Sequence, residues 1–217
     1  MKKVCVIGAG TMGVGIAAQV ANAGVPVLLL DIVRDGQSLA IGALERLKKA
    51  EPAAFMSKAA ARLVETGNIE DDLARVAECD WVIEAIVERI DLKHALYEKL
   101  EGVRKAGTAV SSNTSTIPLE HLVEGRSEAF RRDFLITHFF NPPRYMRLLE
   151  VVAGKDSDPA LVARVSDFAD RALGKSVVAA KDTPGFLANR VGTFWLQAAI
   201  NAAFDLGVSV EDADAIG

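Results

Sequence analysis

Apolar positions in this chain form short unbroken runs, separated by longer stretches with a helical stripe. "KVCVIG" (3–8) is brief, β-branched and stopped by glycine, so it reads as a strand buried on both faces. "MGVGIAAQVANAG" follows as a helix of small residues ending near Asn22 and Gly24. "VPVLLLD" (25–31) is the next buried strand. Strand, helix and strand in this order predict parallel pairing with a right-handed crossover.

Residues 35–78 break that alternation and read as mostly helical. Leu39 to Ala50 carries Ala40, Ala43, Leu44 and Leu47 on one stripe, with Glu45, Arg46, Lys48 and Lys49 off it. Pro52 interrupts, and "AAFMSKAAARLVE" resumes the pattern. The spacing predicts an excursion of two helices standing away from the sheet. Beyond it, "DWVIEAI" (80–86) is a strand, "DLKHALYEKLEGV" a helix and "TAVSSNTS" (108–115) a strand ending in a polar turn. "IPLEHL" opens a short helix, with Thr116 as cap and Pro118 in the first turn, where its missing N–H costs little. "DFLITHFF" (133–140) and "RLLEVVAG" (147–154) are strands, "DPALVARVSDFADRALG" (158–174) a helix and "KSVVAAKD" (175–182) a strand. Such alternation predicts an α/β fold built on a doubly wound, mostly parallel sheet.

The segment 185–207, "GFLANRVGTFWLQAAINAAFDLG", is different. It is apolar on most faces, yet Asn189, Arg190, Gln197, Asn201 and Asp205 interrupt it. That pattern suits a helix buried in a soluble protein better than a membrane span. Such a helix needs partners, and only about ten residues follow it. We therefore expect two units: a nucleotide-binding domain over 1–184, and over 185–217 the first helices of an incomplete all-helical C-terminal domain.

Composition narrows the picture. The 217 residues are 50% hydrophobic and 25% charged, enough for one sizeable core. A net charge of −4 does not suggest a nucleic-acid or anionic-membrane surface. Cys5 and Cys79 offer neither metal spacing nor a disulfide framework, which fits a reducing compartment, and no metal site is expected. The N-terminal "MKKVCVIGAG" runs straight into glycine with no signal-like apolar run, so a cytoplasmic protein is expected.

The first βα turn, "GAGTMG", places Gly8, Gly10 and Gly13 at G-x-G-x-x-G spacing, with Thr11 and Met12 between the last two. Gly8 permits the tight turn, Gly10 lets backbone approach a pyrophosphate, and Gly13 lets helix and strand pack closely. Alone the pattern is weak. Here it follows a strand, opens a helix and is answered by Asp31 at the end of the second strand. The reading is a Rossmann-type dinucleotide site. Asp31 suits the adenosine ribose hydroxyls and repels a 2′-phosphate, favouring NAD, although nearby Arg34 could accommodate NADP.

A second stretch raises a question of its own. In "ITHFFNPPRYMRLLEVV" (136–152), His138 ends one apolar run, Asn141-Pro142-Pro143 breaks the chain, and Glu150 lies inside the next run. Two ordinary strands and a loop account for this. So does a general base with a carboxylate that orients it.

"VIGAGTMGVGIA", "SSNTSTIPL", "THFFNPP", "LLEVV" and "KDTPGFLANR" together resemble the L-3-hydroxyacyl-CoA dehydrogenases of fatty-acid β-oxidation, most closely the long bacterial members. The resemblance runs from residue 2 to about residue 206. It implies oxidation of L-3-hydroxyacyl-CoA to the 3-ketoacyl-CoA with NAD. It makes His138 the base and Glu150 its partner, and puts Ser115 and Asn189 near the substrate oxygen. It places Glu88, Lys93, Ser115 and Asn141 against the cofactor beside the glycine turn. Each has a plainer reading: a capping hydroxyl for Ser115, turn chemistry for Asn141, a solvated helix start for Glu88 and Lys93. For Asn189, any polar side chain in so apolar a helix needs a partner anyway. His94 and His121 match no catalytic position and should lie on exposed helix surfaces. The excursion 35–66 corresponds to the region that meets the CoA tail, where Lys48, Lys49 and Lys58 could equally be a solvated face. The resemblance further implies a homodimer formed through the C-terminal helical domain. Two other functions fit the scaffold: a dehydrogenase of another 3-hydroxy acid, hydroxybutyryl-CoA or a sugar acid, and a nucleotide-binding module without chemistry.

Overall fold

The computed structural model describes residues 1–216. Along the chain, β1 (Val4–Ile7) leads through α1 (Thr11–Asn22) to β2 (Val27–Asp31). A small ribbon of β3 (Val33–Arg34) and β4 (Gln37–Ser38), then α2 (Leu39–Leu47) and α3 (Lys58–Ala61), precede β5 (Val64–Asn68). A short α4 (Ile69–Asp72) and a 3-10 turn (Leu73–Glu78) return the chain to β6 (Trp81–Glu84). Then come α5 (Ile90–Val103), β7 (Ala109–Ser112), α6 (Leu119–Leu122), α7 (Glu128–Arg132) and β8 (Phe134–Phe139). The last elements are β9 (Leu148–Ala153), α8 (Pro159–Arg171), β10 (Ser176–Ala179), α9 (Ala188–Asp205) and α10 (Val210–Ile216).

Eight strands make one sheet in the order β10-β9-β8-β7-β6-β1-β2-β5. From β5 across to β8 every pairing is parallel; β9 then runs antiparallel to β8, and β10 parallel to β9. Strand order reverses between β1 and β6, so the crevice at their carboxyl ends is the topological switch point where such sheets take ligands.

Side chains alternate across the sheet with period two. Val4, Val6, Val27, Leu29, Trp81 and Ile83 face a core closed by α1, α2 and α8. Cys5, Ile7, Leu28, Leu30, Val82 and Val110 face the opposite core, closed by Leu96, Tyr97 and Leu100 of α5 and Phe130 of α7. Each fully buried aliphatic side chain contributes roughly 1.5–3 kcal/mol. Helix α9 gains almost none of that: no residue in it is buried. Among the described residues no helix is long and apolar enough to cross a membrane.

The excursion differs from expectation in two ways. It contains a strand, β5, which the polar "VETGN" conceals, because Gly67 and Asn68 carry no β signal; tertiary pairing with β2 overrides that. It also does not stand away from the sheet. Ala40, Ala43 and Leu44 of α2 are buried in the same core as α1, so the stripe is an inward face. The cap of α6 differs as well. Thr116 does not cap it. Pro118 occupies that position, and the carboxylate of Asp182 accepts from the Leu119 amide. His94 is half-buried and its Nε2 lies 2.7 Å from the His121 carbonyl oxygen, whereas His121 itself is exposed.

Candidate active site

The glycine turn sits on the switch point. Gly8 has φ +104°, and a Cβ there would lie 2.5 Å from the Ala85 carbonyl oxygen at the end of β6. A Cβ on Gly13 would stand 1.8 Å from the Gly8 oxygen, so neither position admits a side chain. Gly10 is the opposite case: a Cβ there would meet nothing within 4 Å. Gly10 also caps α1 with no side-chain acceptor for the first-turn N–H groups. Thr11 is exposed and Met12 half-buried beside it. Asp31 is tethered to the same turn: Oδ2 accepts from the Ala9 amide at 2.5 Å and Oδ1 from the Ile32 amide at 2.6 Å. Open backbone at a helix N-terminus with a carboxylate at its side fits a dinucleotide's pyrophosphate and ribose. Arg34 is exposed on the short β3.

On the neighbouring strand, polar groups gather under the end of β6. Glu84 is fully buried, and its carboxylate accepts four hydrogen bonds. The donors are Lys93 Nζ at 2.7 Å, the Ile86 amide at 2.8 Å, the Tyr97 hydroxyl at 2.6 Å and the Ser112 hydroxyl at 2.7 Å. Lys93, also buried, lies 3.0 Å from Glu88 Oε2. Glu88 Oε1 in turn accepts from the Thr114 hydroxyl at 2.5 Å and from the Ser115 amide at 2.9 Å. Burial works to raise the pKa of Glu88, but the Thr114 hydroxyl, the Lys93 charge and the Ser115 amide outweigh it and hold the carboxyl below its usual range. Lys93 is therefore no solvated helix start; it cross-braces two carboxylates, one of which fixes Ser115. Burial together with the Glu84 charge raises the Tyr97 hydroxyl well above its usual pKa, so Tyr97 stays a donor. Sequence reasoning missed Glu84 and Tyr97, although a glutamate inside the apolar "DWVIEAI" was a visible signal.

His138 and Glu150 are direct partners in the antiparallel β8–β9 register. His138 Nδ1 lies 2.7 Å from Glu150 Oε2, with both side chains buried. An ionised carboxylate at Nδ1 requires the ring to carry its proton there, which leaves Nε2 as an acceptor. The other oxygen of Glu150 accepts from the Leu187 amide at 2.9 Å and the Ala188 amide at 2.7 Å. Glu150 thus caps α9, which has no side-chain cap of its own. Asn189 follows directly, half-buried in the first turn of α9. Asn141, exposed, ends the β8 segment in a cis bond to Pro142. Asn113, also missed, accepts from the Phe139 amide at 2.9 Å and ties the S-N-T-S turn to the histidine strand.

Because β1, β6, β7 and β8 are parallel, the glycine turn, Ser115 and His138 all lie toward the carboxyl ends of these strands. A glycine cradle at the switch point, with a buried imidazole–carboxylate pair at the same end of the sheet, marks a dinucleotide-binding Rossmann domain. The chain belongs to the family of the 3-hydroxyacyl-CoA dehydrogenase NAD binding domain, whose model matches residues 3–183. A Deinococcus radiodurans protein named "Probable 3-hydroxyacyl-CoA dehydrogenase" is 51% identical over 99% of this chain. A Psychrobacter protein, "Fatty acid oxidation complex subunit alpha", is 38% identical over 88% of it. The solved structure of Escherichia coli 3-hydroxybutyryl-CoA dehydrogenase superposes with a TM-score of 0.81 at 30% identity, covering 96% of this chain and 44% of that one. The chain spans 63% of the Deinococcus protein and 26% of the Psychrobacter one.

Proposed function

We propose that this chain is the cofactor and base-bearing part of an enzyme that oxidises L-3-hydroxyacyl-CoA to 3-ketoacyl-CoA with NAD in fatty-acid β-oxidation. The observation that carries the proposal is the His138–Glu150 pair, at the same end of the sheet as the glycine turn. His138 Nε2 takes the proton of the substrate hydroxyl, and Glu150 holds the ring and stabilises the imidazolium that forms. Ser115, braced through Glu88 and Lys93, and Asn189, at the start of α9, position the substrate oxygen. Gly8, Gly10, Thr11, Met12, Gly13 and Asp31 hold the dinucleotide, with Glu88, Lys93 and Asn141 toward its nicotinamide half. When bound, NAD supplies the acceptor for the hydride that leaves the same carbon.

The family match, which stops at residue 183, supports a domain boundary at 184. We propose that 185–217 opens a helical domain through which the enzyme forms a homodimer, and that it works in the cytoplasm. The decisive experiment is NADH oxidation with acetoacetyl-CoA, run on the complete gene product beside this 217-residue chain. Turnover with the thioester and none with free 3-keto acids such as acetoacetate is expected. NADH binding without turnover in the complete protein, or undiminished activity on His138→Ala, would replace the enzyme with a nucleotide-binding module.

A further inference from the structure

Phe186 is a bulky residue in a backbone conformation that favours glycine. Its φ is +46°, directly after Gly185 at +74°. Side chains of this size avoid that region because Cβ crowds the following carbonyl. Phe186 is nevertheless buried, 3% exposed. A strained and buried residue between β10 and α9 persists only where its surroundings over-determine it.

Its neighbours show what it is held for. The Phe186 ring lies 5.6 Å from the His138 imidazole, tilted by 59°. Phe140 packs against the same imidazole at 4.5 Å in an edge arrangement. With Glu150 on Nδ1, three contacts fix the ring. The strained bend has a second consequence: the next two amides, Leu187 and Ala188, reach the second oxygen of Glu150. One residue therefore governs both members of the pair, the imidazole through its ring and the carboxylate through the backbone that follows.

We infer that Phe186 is a positioning residue for the base: its ring restrains the His138 imidazole while its left-handed backbone delivers the α9 amides to Glu150. The inference rests on the enzyme reading given above. A glycine at this position would fit the bend with less strain, and a side chain without a ring could fill the space. Neither would hold the imidazole.

The test uses the complete gene product, with Phe186→Leu and Phe186→Ala beside wild type. Phe186→Leu fills most of the volume and keeps the bend but has no ring. In the folded fraction, counted by NADH titration, kcat should fall about tenfold for Phe186→Leu and further for Phe186→Ala, with KM for acetoacetyl-CoA within about threefold. A purely structural role would lower the folded fraction and leave kcat per folded site unchanged. By NMR, NOEs between the His138 ring protons and Phe140 should weaken once the Phe186 ring is gone, a loss of ring orientation that the missing ring current alone does not produce, and this readout needs no turnover. If Phe186→Ala does not fold, Phe186→Leu carries the test alone. Wild-type kcat and unchanged His138–Phe140 NOEs in Phe186→Leu would overturn the inference. Absence of turnover in wild type would instead count against the enzyme reading, while the His138–Phe140 NOEs would still decide the role of Phe186.

Discussion

Glu150 does two jobs with two oxygens, and one substitution separates them from simple burial. An amide in place of the carboxylate keeps the shape but offers a single acceptor atom. Facing it are three donors: His138 Nδ1–H and the amides of Leu187 and Ala188. Glu150→Gln therefore either uncaps α9 or turns its NH2 onto Nδ1, which moves the imidazole proton to Nε2 and removes the base. We expect kcat in the complete enzyme to fall on the order of a hundredfold, the scale of lost general-base assistance. Hydrogen exchange at Leu187 and Ala188 should quicken in the same variant. Slow exchange alongside a lost kcat would mean that the carboxylate serves the imidazole alone.

Among the elements, those with one clear period were legible in sequence. β1, β2, β6 and β8 are continuous apolar runs because both faces are covered, and each was visible within a residue or two of its bounds. β5 was hidden because its pairing to β2, rather than its composition, makes it a strand. The candidate pair His138 and Glu150 could be picked out from residue types around the Asn-Pro-Pro break, but their meeting depends on register, which a one-residue slip would destroy. The strain at Phe186 was not legible, since nothing local forces phenylalanine to positive φ. The glycine turn was legible because its reasons are steric and local. Gly13→Ala would press a methyl group to 1.8 Å from the Gly8 oxygen, backbone that cannot yield without opening the turn. Its NADH affinity should fall at least tenfold while Gly10→Ala, directed into open space, leaves the fold's melting temperature unchanged.

Lys175, just before β10, gives the same scale a pH dependence. Its ammonium is buried, donates to the Met146 carbonyl at 2.8 Å and to that of Pro143, and lies 5.7 Å from the Phe139 ring centre. Burial lowers its pKa from 10.5 to about 8. Between those two values the unfolded chain holds more protons than the folded one, so this group makes folding more favourable as pH rises through that window. Below about 8 the cost of the buried charge is present in full. Relative to Lys175→Met, wild type should therefore gain in urea midpoint from pH 7 to pH 9.5. A constant difference between the two proteins would show that the carbonyls hold the ammonium charged throughout.

At the scale of the whole molecule, the chain combines a well-covered sheet with a helix that covers nothing. Phe194, Trp195 and Phe204 of α9 are 76%, 69% and 81% exposed, and Leu206 beyond it is 79% exposed. Contiguous apolar surface of this kind is a contact waiting for a partner. The Rossmann half does not depend on it, because the α9 side chains contribute nothing to either core and the helix is anchored through its first amides on Glu150. Two consequences follow for this 217-residue chain on its own. Light scattering should show association that grows with concentration, and serine at Phe194, Trp195 and Phe204 together should abolish it. The same triple variant should bind NADH with a Kd within about twofold of the parent, since additivity holds between sites that share no contacts. A parent that stays monomeric at every concentration would mean that α9 folds back onto the domain in solution.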